Sequence, residues 1–304
     1  LLAYFLPYQY LKQFSLPLMI VSIVLLSLVF TDFGLKVNSA QRWLKVWNFS
    51  FQPAELLKIT FIAYLAAWLA NPNARRSKRF SEGFIPLLML FAIIAGLLVK
   101  QPATSIVVVL LASGGIVYFL SGAPFRYVTA MVLLGIAAFT FIIFFTQGHR
   151  LERILTFLNP EADAETRGYH IDKALTILGA GGLWGTGFGG STIKSNLPAR
   201  IDDSIFAVVA GEFGFIGAGV LVALFAFLVI RIFWVAHHTR DHFAYLLLIG
   251  FGSILFLQSF INMAANAGLV PLTGLPLPFI SYGGTALAVT LMMSGIIANV
   301  SRYT

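Results

Sequence analysis

The chain contains no cysteine, which removes disulfide frameworks and thiolate metal sites at once. Charge is also scarce: charged side chains make up 11% of the 304 residues, 12 acidic against 20 lysines and arginines. A soluble domain carries about 25% charged residues, so a water-exposed globule is excluded. There is no internal repeat, no low-complexity tract and no linker marking a second domain, and a single transmembrane domain over 1–304 is expected. Hydrophobic residues, by contrast, make up 59% of the chain, with 29 phenylalanines beside 5 tryptophans. Lipid-facing helices with a thinner set of interfacial anchors have that make-up. The opening LLAYFLPYQY lacks a Met, a charged n-region and a cleavage motif, and the expectation is of a domain that is N-terminally incomplete.

A hydrocarbon core about 30 Å thick takes roughly 17–25 apolar residues per helix. Stretches of that kind lie at 14–31, 53–70, 84–100, 104–121, 127–146, 204–233, 244–266 and 283–300. The expected fold is therefore all-α, a polytopic membrane helix bundle with eight visible spans. The densest basic cluster, Arg75, Arg76, Lys78 and Arg79, sits in a short loop between the second and third spans, and the positive-inside rule makes that loop cytoplasmic. Alternation then puts loops 32–52, 101–103, 147–203 and 267–282 on the outside, where every polar motif falls. Cations gather there too, which suits an anionic ligand; attraction to lipid headgroups is an equal reading of charge alone.

Within 147–203, LERILTFLNP and IDKALTILG predict two short helices, too charged to span and suited to the interface. The glycine-rich run that follows, GAGGLWGTGFGG, permits positive φ and close backbone approach, as a compact loop beside a ligand needs. Gly185, Gly187 and Gly190 match G-x-G-x-x-G, and Ser191 to Lys194 match S-x-x-K, but neither has its required companions. His237, His238 and His242 lie in a short cytoplasmic loop, where a solvated turn is favoured over a metal site.

Glu55 and Lys58 follow Gln52-Pro53, with Pro at a helix start, and their i,i+3 spacing puts them on one face as an ion pair at the outer mouth of the second span. Either the pair fixes orientation or it holds a cation where a phosphate or sugar sits, and membrane-embedded charge favours the second. Asp203 begins the sixth span, and Glu212 lies about 13 Å further along it at 1.5 Å per residue. That is too far for a glycosidase-like carboxylate pair; one general base and one buried structural acid is the better division, with an N-cap the bland alternative for Asp203. The run PLTGLPLPFISYGG is too proline-rich to be helical throughout and is expected to wall the outer site.

Arg42-Trp43-Leu44, FSFQPAELLK, GAGGLWGTGFGGSTIK, DSIFAV, PLTGLPLPFISYGGT and Asn299-Val-Ser-Arg302 occur in an order that resembles the SEDS glycosyltransferases, the FtsW and RodA proteins of bacterial wall synthesis, and cover nearly the whole chain. The likeness is closer to the division-type FtsW branch. The resemblance implies a ten-helix fold in the bacterial cytoplasmic membrane. It also implies polymerisation of lipid II into glycan strands on the extracytoplasmic face, beside a class B penicillin-binding protein and other division membrane proteins. A nucleic-acid partner is not expected; membrane lipid is.

By that resemblance Asp203 is the catalytic base. Glu55, Lys58, Arg42, Lys194, Gln101 and Ser281 are substrate-binding candidates, the cations helping the departing pyrophosphate. No cofactor is certain, and a divalent cation could share that role. The family's Q-P-D is here Gln101-Pro102-Ala103, and Ala199 and Ile201 replace an acid and a histidine common beside the catalytic aspartate. Two other readings stay open: a lipid II flippase, which would need polar determinants on both faces, and a weakened division scaffold, which Ala103 favours.

Overall fold

The computed structural model describes residues 2–37, 40–46, 49–71, 76–145, 149–159, 167–190 and 204–303. Apolar helices occupy all eight predicted segments: α3 (Ser15–Leu28), α4 (Pro53–Leu69), α5 (Ile85–Lys100), α6 (Thr104–Leu120), α7 (Phe125–Phe145), α10 (Ile205–His238), α11 (His242–Asn266) and α12 (Gly284–Val300). Two short helices, α1 (Leu2–Phe5) and α2 (Tyr8–Gln13), precede them, and α8 (His149–Leu158) and α9 (Arg167–Ala180) match the predicted pair in the long loop. Among the described residues, four stretches are long and apolar enough to cross a membrane: Phe80–Lys100, Phe125–Ile142, Ile205–His238 and His242–Asn266. Ser15–Leu28, Thr104–Leu120 and Gly284–Val300 are shorter apolar helices.

The segment expected to be only a loop, 32–52, instead carries a three-stranded antiparallel sheet of β1 (Gly34–Val37), β2 (Ala40–Val46) and β3 (Phe49–Phe51), in the order β1-β2-β3. Leu35 lies opposite Trp43, and Leu44 opposite Phe51, with a bulge between Leu35 and Lys36. Strand alternation puts Arg42 and the buried Leu44 on one face of β2 and Trp43 and the exposed Lys45 on the other.

Cα packing divides the chain into two compact units interleaved along the sequence. The first comprises Leu1–Val132, Val229–Leu255 and Gly284–Thr304. Its axis is α4, which touches α2, α3, α6, α12 and β2. A helix apolar on every face is a buried helix, and most of α4 is buried. The few polar groups it carries are matched locally: Thr60 donates its hydroxyl proton to Ser22 Oγ of α3 at 2.8 Å.

At the opposite end of this unit from the sheet, Pro7 (φ −56, ψ 128) ends α1 and begins α2. In a continuous helix Tyr8 N–H would donate to the Tyr4 carbonyl. Here the buried Asn299 carboxamide stands between them, accepting from Tyr8 N at 3.1 Å and donating to Tyr4 O at 2.6 Å. Nearby, Asp241 accepts from Phe243 N–H to start α11, and its carboxylate lies close enough to the Tyr8 hydroxyl to act on it electrostatically.

The second unit comprises Leu133–Leu228 and Phe256–Gly283. Its core sets Phe206, Ala210, Ala218 and Phe225 of α10 against Leu277. Ile177 of α9 packs on Val208.

Candidate active site

In the first unit, Pro53 occupies the opening turn of α4, where its missing N–H leaves no hole in the ladder, and Gln52 is the extended N-cap. Glu55 follows in the same turn. Lys58 Nζ donates to both Glu55 carboxylate oxygens at 2.8 Å, and the two side chains are 1% and 2% exposed. An ion pair this deeply buried repays its desolvation only with such close contacts.

The sheet delivers a second cation to the same end of α4. β2, the strand that carries Arg42, pairs with β3 up to Leu44 opposite Phe51, just before Pro53 in the chain, and touches α4. Its guanidinium donates from Nε to the Gln101 carbonyl at 3.0 Å and from Nη2 to the Pro102 carbonyl at 2.6 Å. Those carbonyls follow the C-terminus of α5, where a cation is electrostatically favoured. The Gln101 side chain turns inward, 1% exposed: Nε2 donates to Leu26 O at 2.9 Å, while buried Oε1 has no hydrogen-bond partner among the described residues. Lys100 lies over the Phe30 ring at 5.0 Å. Ala103 is the N-cap of α6 and, being alanine, supplies no side-chain acceptor to its first N–H groups.

In the second unit, the glycine-rich run is built into a broken helix. Gly214 (φ 67, ψ −168) interrupts α10. Four backbone groups that would have bonded one another across the break turn instead to the loop. Phe215 and Ile216 N–H donate to Gly182 and Leu183 O at 2.9 and 3.3 Å, and Gly211 and Glu212 O accept from Thr186 and Gly187 N–H at 3.1 and 3.0 Å. A Cβ at Gly185 (φ +81) would lie 2.0 Å from Glu212 O, so this glycine is required by close approach as well as by conformation. The close approach is thus to a helix backbone. Glu212, expected as the buried structural acid of this span, is 4% exposed beside the break.

The proline-rich segment is irregular, as its prolines predict, and is held by amides of α11. Gln258 Nε2 donates to Pro276 O and Asn262 Nδ2 to Leu275 O, each at 2.7 Å, and Asn266 Nδ2 donates to Asn262 O at 2.9 Å. Ser281 Oγ accepts from Leu277 N–H at 2.8 Å, closing the turn that contains Phe279 at φ 67.

The candidates thus fall into three groups. Glu55 pairs with Lys58, and Arg42 meets the backbone of Gln101, all in the first unit. Ser281 belongs to the second unit and is bound into its own turn. Asp203 and Lys194 lie outside the described residues; Ser204, the residue after Asp203, leads directly into α10. Sequence reasoning missed the α11 amides, although Gln258, Asn262 and Asn266 recur at i, i+4 and i+8 on one helix face. Among the described residues no three carboxylates or imidazoles converge into a metal site.

These features define a multi-pass helical membrane protein of the SEDS type, with an ion pair sunk into a central helix and a span interrupted to receive a loop. The chain belongs to the FtsW/RodA/SpoVE family of cell cycle proteins, whose family model matches residues 1–304. Among curated relatives it is 36% identical over 298 residues to a probable peptidoglycan glycosyltransferase FtsW of Trichlorobacter lovleyi, covering 97% of this chain and 77% of that one. It is 33% identical over 294 residues to the stage V sporulation protein E of Bacillus subtilis, covering 96% and 80%. Among solved structures, a peptidoglycan synthase complex that coordinates polymerization and crosslinking contains a chain matching at TM-score 0.81 and 30% identity, over 99% of this chain and 84% of that chain. The rod shape determining protein RodA of Thermus thermophilus matches at TM-score 0.72 and 29% identity, over 99% and 82%.

Proposed function

We propose that this chain is a peptidoglycan glycosyltransferase of the division type, polymerising lipid II on the extracytoplasmic face of the bacterial cytoplasmic membrane. Relatives covered over most of their length carry the enzyme name, and the observation within the molecule that carries the reading is the buried Glu55–Lys58 pair in the first turns of α4, the helix that Arg42's strand touches. Membrane-buried charge is retained for partners, pathways and reactions, and a pyrophosphate-linked lipid supplies the anion that these cations suit.

In the proposed reaction Asp203 takes the proton from the acceptor sugar's 4-hydroxyl. That oxygen forms a bond to the donor's anomeric carbon with inversion, and the bond from that carbon to the pyrophosphate oxygen breaks, its electron pair leaving on the lipid pyrophosphate. Arg42 and Lys194 would draw the departing anion, and Lys58, held by Glu55, would set the field at the head of α4. Gln101 and Ser281 would position sugar and peptide groups from the loops they anchor. A divalent cation would bind chiefly through the pyrophosphate oxygens, adding charge stabilisation.

The partner would be a class B penicillin-binding protein that crosslinks the strand, assembled with other division membrane proteins; the matched synthase complex supports that pairing. Reconstituted in liposomes with that partner and labelled lipid II, the parent should yield glycan strands and Asp203→Asn none. Parental polymerisation by Asp203→Asn would remove the base assignment, and scrambling of lipid II without polymer would make the chain a flippase.

A further inference from the structure

We infer that the turn Gly182–Phe188 is a lipid-immersed wedge, seated in the acyl–headgroup boundary of the leaflet at the Ile205 end of α10. Four observations converge on it. Trp184 and Phe188 are 78% and 87% exposed, and Leu183 is exposed beside them. On α10, beyond the break at Gly214, Ile216, Val220, Leu224 and Phe227 form an exposed apolar stripe at helical spacing, the face a span turns to lipid; Phe213, also exposed, stands just before the break, and the Phe188 ring lies 6.3 Å from its ring. The turn therefore prolongs a lipid-facing stripe.

Depth agrees. Residues 213–230 contain no charged side chain, a length close to the roughly 20 residues that cross a hydrocarbon core. The loop is bonded at Gly211, Glu212, Phe215 and Ile216, at one end of that stretch, which is the interfacial level that tryptophan prefers.

Backbone satisfaction agrees as well. Hydrocarbon tolerates irregular chain only where its polar groups are matched within the protein. The N–H groups of Gly181, Gly182, Gly185, Thr186 and Gly187 all donate to carbonyls of α9, the loop or α10, and the Thr186 hydroxyl donates to Gly211 O at 3.2 Å. Finally, no charged residue occurs between Lys173 and Lys194. A loop docking on a soluble partner has no need of so long an uncharged stretch; acyl chains require it.

The test uses the full chain in nanodiscs. Trp184 emission is obtained by difference between the parent and Trp184→Phe, with lipids brominated near the top of the acyl chain or with aqueous iodide as quencher. Strong bromolipid quenching with little iodide quenching is expected. Iodide quenching without bromolipid quenching would overturn the inference in favour of a solvated loop, and quenching by neither would overturn it in favour of a protein segment covering the turn. Because the chain lacks cysteine, Phe188→Cys gives an independent reading: a membrane-impermeant maleimide should label it several-fold more slowly than the exposed Lys36→Cys. Equal labelling would sink the proposal.

Discussion

Replacing Lys58 with methionine keeps the length of the side chain but leaves the Glu55 carboxylate charged, 2% exposed and stripped of two 2.8 Å hydrogen bonds. Breaking a buried pair by removing one partner costs about 3–5 kcal/mol, a large share of the ~5–15 kcal/mol that holds a typical domain together. With a melting midpoint moving ~2–4 °C per kcal/mol, Lys58→Met should melt about 6–20 °C below the parent. Glu55→Gln alone should also fall, since it takes from the buried ammonium the carboxylate that accepts two of its hydrogen bonds. The double variant, Glu55→Gln with Lys58→Met, removes both charges and should melt near or above the parent, because an apolar replacement of a buried pair is often neutral or stabilising. Intrinsic-fluorescence melts of the four proteins in detergent give the cycle directly, and polymerisation is read below the lowest midpoint. The expected result is a double variant that is folded and inactive. Single variants that melt with the parent would refute the burial argument, and a folded double variant polymerising at the parental rate would show that the pair serves the fold alone.

Three further outcomes follow from the geometry. Gly185→Ala adds a Cβ 2.0 Å from Glu212 O at a φ of +81, and Gly214→Ala adds one 2.4 Å from Gly185 N at φ +67; each should lose stability by more than the ~1–2 kcal/mol of left-handed strain alone, while Gly219→Ala, with open space around it, should be neutral or slightly stabilising in the same melts. Ala103→Asp supplies the absent cap of α6 and should add ~0.5–2 kcal/mol with a faster polymerisation rate; an unchanged rate would separate the cap from the chemistry. Burial, and then the Asp241 carboxylate, push the Tyr8 hydroxyl above its ordinary pKa. The folded chain thus holds the phenolic proton more tightly than the unfolded chain, and this stabilisation, full below about pH 10, is lost as pH rises beyond it. Tyr8→Phe should be less stable than the parent at neutral pH and should show a shallower alkaline decline, measured by melts from neutral to alkaline pH.

What the sequence disclosed was whatever depends on neighbours in the chain. The eight apolar segments were legible because each is set by its own length and hydrophobicity, and the Glu55–Lys58 pair because an i,i+3 contact is a property of one helix. Arg42 was legible as a candidate but its partners were not: they are carbonyls 59 and 60 residues away. The sheet escaped notice because β2, AQRWLKV, sets two apolar residues side by side where alternation would give a clean signal. The break in α10 was the least visible of all. GEFGF reads as ordinary helix in an apolar run, and only four backbone bonds from a segment some thirty residues earlier make it otherwise. The density of glycines signalled close approach; what they approach is a helix.

The carboxamide of Asn299 bears on how the protein is made. Its two hydrogen bonds close the gap at Pro7 across sequence separations of 291 and 295 residues. At ~5–20 residues per second, roughly 15–60 s of synthesis separates the two ends of that contact. Until α12 arrives, Tyr4 O and Tyr8 N–H must be served by water or by the insertion machinery. A turn early in this unit is therefore completed only by a helix synthesised some 290 residues later, and the packing of this unit around Pro7 waits on α12.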